Sequence, residues 1–339
     1  LIGRVLVTGA SGFIGHHLVA ALTETGAEIV CLVRPTSDIS RLESLGVSFI
    51  EGDVTHKDSL VQAVRGVDSV FHLAGATASL QPELQRHVNE GGTRNIAEAC
   101  AQSSSPPVLI FVSSIAAAGP NPPGRSLREE DPPSPVSHYG RSKQAAEEAL
   151  YQWAGKVPIS IVRPPIVFGE YDHDVFQMFE IVARGWHLVP GYRERRYSLV
   201  HACDLAQGLI HAAEKGERLP SDASDLEGAG RGIYYVADDA QPSYAELGGM
   251  IAEALGRRGV RIVPLPGILI WIVGAASEAL SRLKGAPSII NLDKAREASA
   301  GSWTCSPKKA RDQLGFEPRA TLPERLHQTG KWYYEEGWL

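Results

Sequence analysis

Tyr139 and Lys143 stand four residues apart in the run Tyr139-Gly140-Arg141-Ser142-Lys143, a spacing that puts both on one face of a helix. A free tyrosine ionises at about pH 10 and is a poor acid or base at neutrality. A cation one turn away stabilises the phenolate and lowers that value. A tyrosine tuned in this way can donate a proton to a carbonyl oxygen or take one from an alcohol. Upstream, Ser113 and Ser114 end the apolar run Val108–Val112. A serine at the carboxyl end of a parallel strand can hydrogen-bond a reacting oxygen, or it can cap the turn that follows.

These side chains need a scaffold, and the hydrophobic pattern supplies one. Apolar, β-rich runs occur at Val5–Val7, Glu28–Val33, Val47–Ile50, Ser69–Leu73, Val108–Val112 and Ile159–Val162. Helical patterns lie between them, as at Leu84–Ala101 and Lys143–Trp153. The alternation predicts an α/β fold: a doubly wound parallel Rossmann sheet, with a smaller, mainly helical C-terminal substrate-binding domain. The expected division is 1–168 plus about 198–237 for the sheet domain, and about 169–197 plus 238–339 for the second. Within these, Phe176, Phe179 and Ile181 mark a helix, and Ser198–Leu209 reads as a return to the sheet. Gly216–Gly232 reads as a polar surface loop, and the chain from Ser243 onward as mostly helical. Leu314-Gly315-Phe316-Glu317-Pro318 reads as a helix stop. The Pro-rich stretch Gly119–Val136 is long for a connector and is expected to act as a lid or binding loop.

Between the first strand and the first helix lies Thr8-Gly9-Ala10-Ser11-Gly12-Phe13-Ile14-Gly15. A glycine-rich turn feeding a helix N-terminus favours an anion, because backbone N–H groups and the helix dipole point at it. Gly9 permits the tight turn, Gly12 lets a diphosphate approach the backbone, and Gly15 lets helix and strand pack closely. No Gly-Lys-Ser/Thr closes the loop, which excludes a P-loop.

Together, Gly9-x-x-Gly12-x-x-Gly15, Ser114 and Tyr139-x-x-x-Lys143 resemble the extended short-chain dehydrogenase/reductase superfamily. Gly52-Asp53-Val54, His72-Leu73-Ala74, Asn89 with Gly92-Thr93, Arg163-Pro164-Pro165, Val200-His201 with Asp204-Leu205, and Leu314–Pro318 extend the resemblance over nearly the whole chain. The resemblance implies Tyr139 as acid/base, Ser114 as the serine that orients the oxygen, and Lys143 as the residue that binds the nicotinamide ribose and lowers the tyrosine pKa. It implies that Asn89 positions a water or braces the active-site helix. It places Gly9, Ser11, Gly12, Phe13, Ile14 and Gly15 around the cofactor, with Asp53 and Val54 at the adenine. Leu73, Ala74, Gly75, Pro165 and Val167 complete the implied cofactor site. It also implies a homodimer formed through the helices at about 84–101 and 140–154.

NAD enzymes usually carry an acidic residue at the end of the second strand; this chain carries Arg34, followed by Thr36 and Ser37. A guanidinium attracts a 2′-phosphate and stacks on adenine, so NADP is expected over NAD, unless Arg34 is simply solvated. Sugar-nucleotide members of the superfamily present an Arg before the late Val-His strand, and here Tyr197 stands at that position. Arg196 is one place off, and on a strand a shift of one residue reverses the facing. Ser113–Asn121 is similar to 3β-hydroxysteroid dehydrogenases. The expected reaction is therefore interconversion of a ketone and a secondary alcohol on a mainly apolar small molecule. The alternatives are an NAD(P)-dependent sugar-nucleotide epimerase and a redox-sensing protein without turnover.

The chain has 339 residues, 43% hydrophobic and 21% charged, with formal net charge −6, so no basic nucleic-acid surface is expected. Cys31, Cys100, Cys203 and Cys305 are far apart and read as reduced thiols, with neither a disulfide frame nor a metal site. The first strand starts almost at once, and a cytoplasmic protein without a leader is expected. From Ile262 to Ala276 there is no charge. That stretch is shorter than the roughly 20 residues a membrane span needs. It is expected to form a buried or lid helix over an apolar pocket, with peripheral membrane contact as the alternative.

Overall fold

The structure, a computed structural model, describes residues 3–121, 124–221, 230–284, 288 and 291–339. Its strands are, in chain order, β1 Arg4–Thr8, β2 Glu28–Val33, β3 Ser48–Glu51, β4 Ser69–His72, β5 Val108–Val112, β6 Ile159–Val162, β7 Ile166–Phe168, β8 Trp186–Pro190, β9 Leu199–His201, β10 Ile233–Tyr234 and β11 Arg261–Leu265. Seven of them form one parallel sheet in the order β10-β6-β5-β4-β1-β2-β3. The order reverses between β1 and β4, and a ligand crevice opens at such a switch point, outside the carboxyl ends.

Successive strand residues face opposite sides of the sheet, and both sides are apolar. Val5, Val7, Ile29, Cys31, Ile110 and Val112 pack under the Phe13–Thr23 and Ala202–Lys215 helices. Leu6, Val30, Leu32, Leu109 and Phe111 pack on the other side, against the Lys57–Ala63, Gly92–Ala101 and His138–Tyr151 helices. A third core joins Phe168, Phe179, Tyr197, Leu247, Trp303, Leu326 and Tyr333.

Two expectations are corrected. Leu199–His201 does not rejoin the large sheet; it pairs with β7 in a separate two-stranded sheet, and Ile233–Tyr234 takes the place beside β6. The region after Ser243 is mostly helical, as expected, with β11 pairing with β8 before the Gly267–Lys284 helix begins. That helix is not buried: Ile268, Leu269, Trp271, Ile272 and Val273 are all exposed. The helical pattern Leu84–Ala101 is interrupted by a π-turn, His87–Gly91. Of the two loops, residues 122–123 and 222–229 lie outside the described residues. Gly315 adopts φ 65° and closes the Ala310–Leu314 turn, as the helix-stop pattern predicts.

One buried ion pair fixes the helix that carries Tyr139 and Lys143. Glu147 accepts hydrogen bonds from Arg163 Nε at 2.9 Å, Arg163 Nη2 at 2.6 Å and Ser113 Oγ at 2.5 Å. All three residues are buried, so the helix is tied at once to the ends of β5 and β6. Removing one partner strands a charge in the core. Glu147→Ala should lower unfolding free energy by about 3–5 kcal/mol, whereas Glu147→Leu paired with Arg163→Met should cost far less. Urea denaturation checks this; equal losses in both variants would contradict the clamp.

Candidate functional site

The turn after β1 is shaped so that only glycine fits its two tightest points. Gly9 has φ 74°, and a Cβ there would lie 2.7 Å from the Ala74 nitrogen; at Gly15 it would lie 2.1 Å from the Gly9 carbonyl oxygen. The Phe13–Thr23 helix then starts at Gly12 with no side-chain cap and no acid in its first turn. Ser11 and Gly12 are exposed, with Phe13 and Ile14 partly so. The open helix terminus and the cradle that any Cβ would fill fit a dinucleotide diphosphate.

Around this cradle the chain brings the other expected residues to the carboxyl edge. Arg34 is exposed at the end of β2. Asp53 follows β3, and its Oδ1 accepts from Thr55 N at 2.8 Å and Thr55 Oγ1 at 2.7 Å. Burial pushes this carboxyl up, but those bonds, with Arg34 and His56 nearby, bring it below the usual value. Val54 is buried and would meet a Cβ on Gly92 at 2.8 Å. Leu73 and Ala74 are partly buried after β4, and Gly75 is exposed. Pro165 is buried and Val167 partly so, beyond β6.

A polar relay links these loops. Thr8 Oγ1 lies 2.7 Å from His72 Nδ1, His72 Nε2 lies 3.1 Å from Thr93 Oγ1, and Thr93 Oγ1 donates to the Asn89 carbonyl at 2.6 Å. Thr93 thus accepts from the Nε2–H, and the imidazole is neutral. Burial, with Lys143 nearby, pushes its pKa down to about 3. Asn89 itself, in the π-turn, accepts from Ala76 N at 2.7 Å and donates to Ala76 O at 3.0 Å and Ser142 Oγ at 2.8 Å. It braces the loop after β4 against the His138–Tyr151 helix.

Near Tyr139 the two serines separate. Ser113 is buried on Glu147, whereas Ser114 accepts from Ala116 N at 3.1 Å and has its hydroxyl close enough to Tyr139 to pull the phenol's pKa down. Ser137 caps the Tyr139 helix by accepting from Gly140 N at 2.9 Å. Burial holds the Tyr139 phenol above its usual pKa, with Lys294 and the Ser114 hydroxyl pulling it down and Glu297 and Asp174 pushing it up. Lys143 is engaged at the end of β5. Its Nζ donates to the Val112 carbonyl at 2.8 Å and sits 4.6 Å from the centre of the Phe111 ring. Burial pushes the Lys143 ammonium down to about 8, against the pull of Glu147. The cation that faces the phenol is Lys294, 5.9 Å from the ring centre and paired with Glu297 at 2.8 Å.

A cleft of about 300 Å³ opens beside Tyr139, walled by Thr77, Gln85, Ser281, Asp293, Lys294 and Glu297 among others. Its walls are mostly polar, and residues 262–276 do not line it. Asp293 accepts from the backbone N–H groups of His138 at 2.8 Å and Tyr139 at 3.0 Å. Sequence reasoning missed Asp293 and Lys294, which lie over 150 positions from Tyr139 and match no local pattern. It also missed Glu147, whose signal was present: an acid one helical turn beyond Lys143. Behind the cradle, His17, Glu170 and Cys203 bring donor atoms within 4.8 Å of one another. They are linked by hydrogen bonds, Cys203 Sγ to His17 Nδ1 at 3.4 Å and His17 Nε2 to the Glu170 carbonyl at 2.9 Å.

The profile of the NAD dependent epimerase/dehydratase family matches residues 5–224. A ceramide reductase of Caulobacter vibrioides is 30% identical over 99% of this chain and 96% of its own. An N-acetyl-alpha-D-glucosaminyl-diphospho-ditrans,octacis-undecaprenol 4-epimerase of Escherichia coli O157:H7 is 26% identical over 96% of this chain and 94% of its own. Among solved structures, the UDP-glucose 4-epimerase of Thermus thermophilus in complex with NAD superposes with TM-score 0.75 at 25% identity, covering 98% of this chain and 99% of that one.

The neutral His72 makes the site acid-sensitive. Its folded pKa of about 3 lies below the ordinary 6.5, so between these values the unfolded chain binds a proton that the folded chain does not. Stability is therefore lost as pH falls through that window and is unaffected above it. His72→Gln should flatten the decline of melting temperature with acid; parallel curves for the two proteins would contradict the relay.

Proposed function

The chain belongs to the NAD-dependent epimerase/dehydratase family, and from that premise we propose that it is an NADP-dependent oxidoreductase. It interconverts a ketone and a secondary alcohol on a molecule with a largely apolar body. The observation that carries this reading is Tyr139 in the wall of a polar cleft, with the Ser114 hydroxyl near its phenol. Bound nicotinamide supplies the hydride chemistry. Ser114 orients the substrate oxygen, and Tyr139 holds the proton that this oxygen takes up on reduction. A phenol kept above its usual pKa is protonated at neutrality, which suits the reductive direction. Lys143 would hold the nicotinamide ribose, and the Asn89 brace fixes the helix that carries it.

Arg34 supports NADP, since it offers a guanidinium where NAD enzymes carry an acid. The polar walls of the cleft suit the end of the substrate that carries the carbonyl, and the likeness to a ceramide reductase supports an apolar remainder. The second reading, a sugar-nucleotide epimerase, is favoured by the epimerases among the relatives. Against it, Tyr197 is buried at 6% exposure where such members carry an arginine, and Arg196 is engaged outside with Glu194 at 2.7 Å and the Gln241 carbonyl at 2.9 Å.

Tyr139→Phe should lower turnover of NADPH with a panel of long-chain ketones by about 10²–10⁴-fold while leaving NADPH affinity within a few-fold. Stopped-flow absorbance for turnover and fluorescence titration for binding separate the two effects. Undiminished turnover in the variant would remove Tyr139 from the proposed role.

A further inference from the structure

The Gly267–Lys284 helix packs by one narrow stripe and leaves the rest of its surface uncovered. Gly274 and Ser281 are buried, and Ile270, Ser277 and Glu278 are partly so; these positions share one face. A Cβ on Gly274 would lie 3.0 Å from the Asn291 carbonyl and 3.2 Å from Ala295 Cβ, so this stripe presses closely on the Leu292–Ala300 helix. On the opposite face, Ile268, Ile272, Ala276, Ala279 and Leu283 recur at helical spacing, and all are exposed. Ile268 is 67% exposed, Ile272 54% and Leu283 85%. Leu269, Trp271, Val273 and Leu280 widen the exposed apolar surface. The β8–β11 pair that leads into the helix adds Trp186, Leu188 and Ile262, each at least 40% exposed.

Charge around this surface is one-sided. From Arg257 to Lys284 the chain carries Arg257, Arg258, Arg261, Arg282 and Lys284 against Glu278 alone, in a chain whose net charge is −6. All five basic residues are exposed, and Arg261 lies over the Trp186 ring at 5.3 Å. Glu278 is already held by Arg282 at 2.8 Å. An apolar helix face bordered by Trp and Arg/Lys is the pattern of a helix that lies in a membrane interface. Among the described residues no helix is long and apolar enough to cross a membrane.

We propose that this surface docks on a lipid bilayer bearing anionic headgroups. The Ile268–Leu283 face would enter the acyl boundary, and the basic residues would meet the headgroups. A second copy of this chain fits less well, because a two-fold contact would set the same basic border against itself. The inner stripe of the same helix contributes Glu278 and Ser281 to the cleft beside Tyr139. Docking therefore sets the cleft beside the bilayer, where an amphiphile can reach it without leaving the lipid. The docking itself does not depend on the chemistry assigned to Tyr139.

Vesicle flotation tests this. Wild-type protein should bind phosphatidylcholine vesicles containing about one-third phosphatidylglycerol at least about tenfold more tightly than pure phosphatidylcholine vesicles, and high salt should weaken that binding. Ile272→Glu with Leu283→Glu should abolish it while NADPH affinity and melting temperature stay unchanged, which separates this surface from the site and from folding. Arg258→Glu with Arg261→Glu should remove the preference for anionic vesicles. Equal, weak binding to both vesicle types would overturn the proposal. So would a wild-type dimer that Ile272→Glu splits into monomers without loss of vesicle binding, since a second copy would then cover the face.

Discussion

The placement of the helix that carries Tyr139 depends on one buried carboxylate. Glu147 gathers Ser113 from the end of β5 and the guanidinium of Arg163 from the end of β6, and it sits one turn beyond Lys143. With both strand ends fixed to the helix, Ser114 and Tyr139 have one relative position. The pair is not a large source of stability, since desolvating two charges offsets most of their attraction. Its value is geometric: Glu147 satisfies Ser113 and Arg163 together while tying the helix to both strand ends.

The same logic extends to the cofactor side. Thr8, His72, Thr93 and Asn89 form a chain of hydrogen bonds that couples β1, β4 and the π-turn. The switch point between β1 and β4 is thus tied to the helix that carries Tyr139 through Asn89 and Ser142. The glycine cradle supplies close approach, and this relay supplies its rigidity. Asp293 extends the scheme from the far end of the chain by capping the N-terminus of the Tyr139 helix.

Local patterns made much of this legible. Runs of alternating or continuous apolar residues located β2, β5 and β6 at their observed bounds, because a strand buried on both faces has a composition of its own. The Gly9–Gly15 turn was readable because its steric demands admit glycine alone. What escaped was non-local. β8 and β11 are short and half-exposed, and they are defined only by pairing with each other across more than 60 residues. Lys294 faces Tyr139 through tertiary packing that no spacing rule encodes. The 262–276 segment was misread because an apolar helix is ordinarily covered, and hydropathy alone does not distinguish burial in protein from burial in lipid.

The central claim is net reduction with NADPH, and it is tested most directly by paired titration of the purified protein with NADPH and NADH, with mass spectrometry of any cofactor that co-purifies. The account predicts a clear preference for NADPH that Arg34→Ala weakens by about tenfold, the order expected for a charge-assisted contact to a phosphate. Tightly retained NAD, with no effect of Arg34→Ala, would contradict it and favour the epimerase reading.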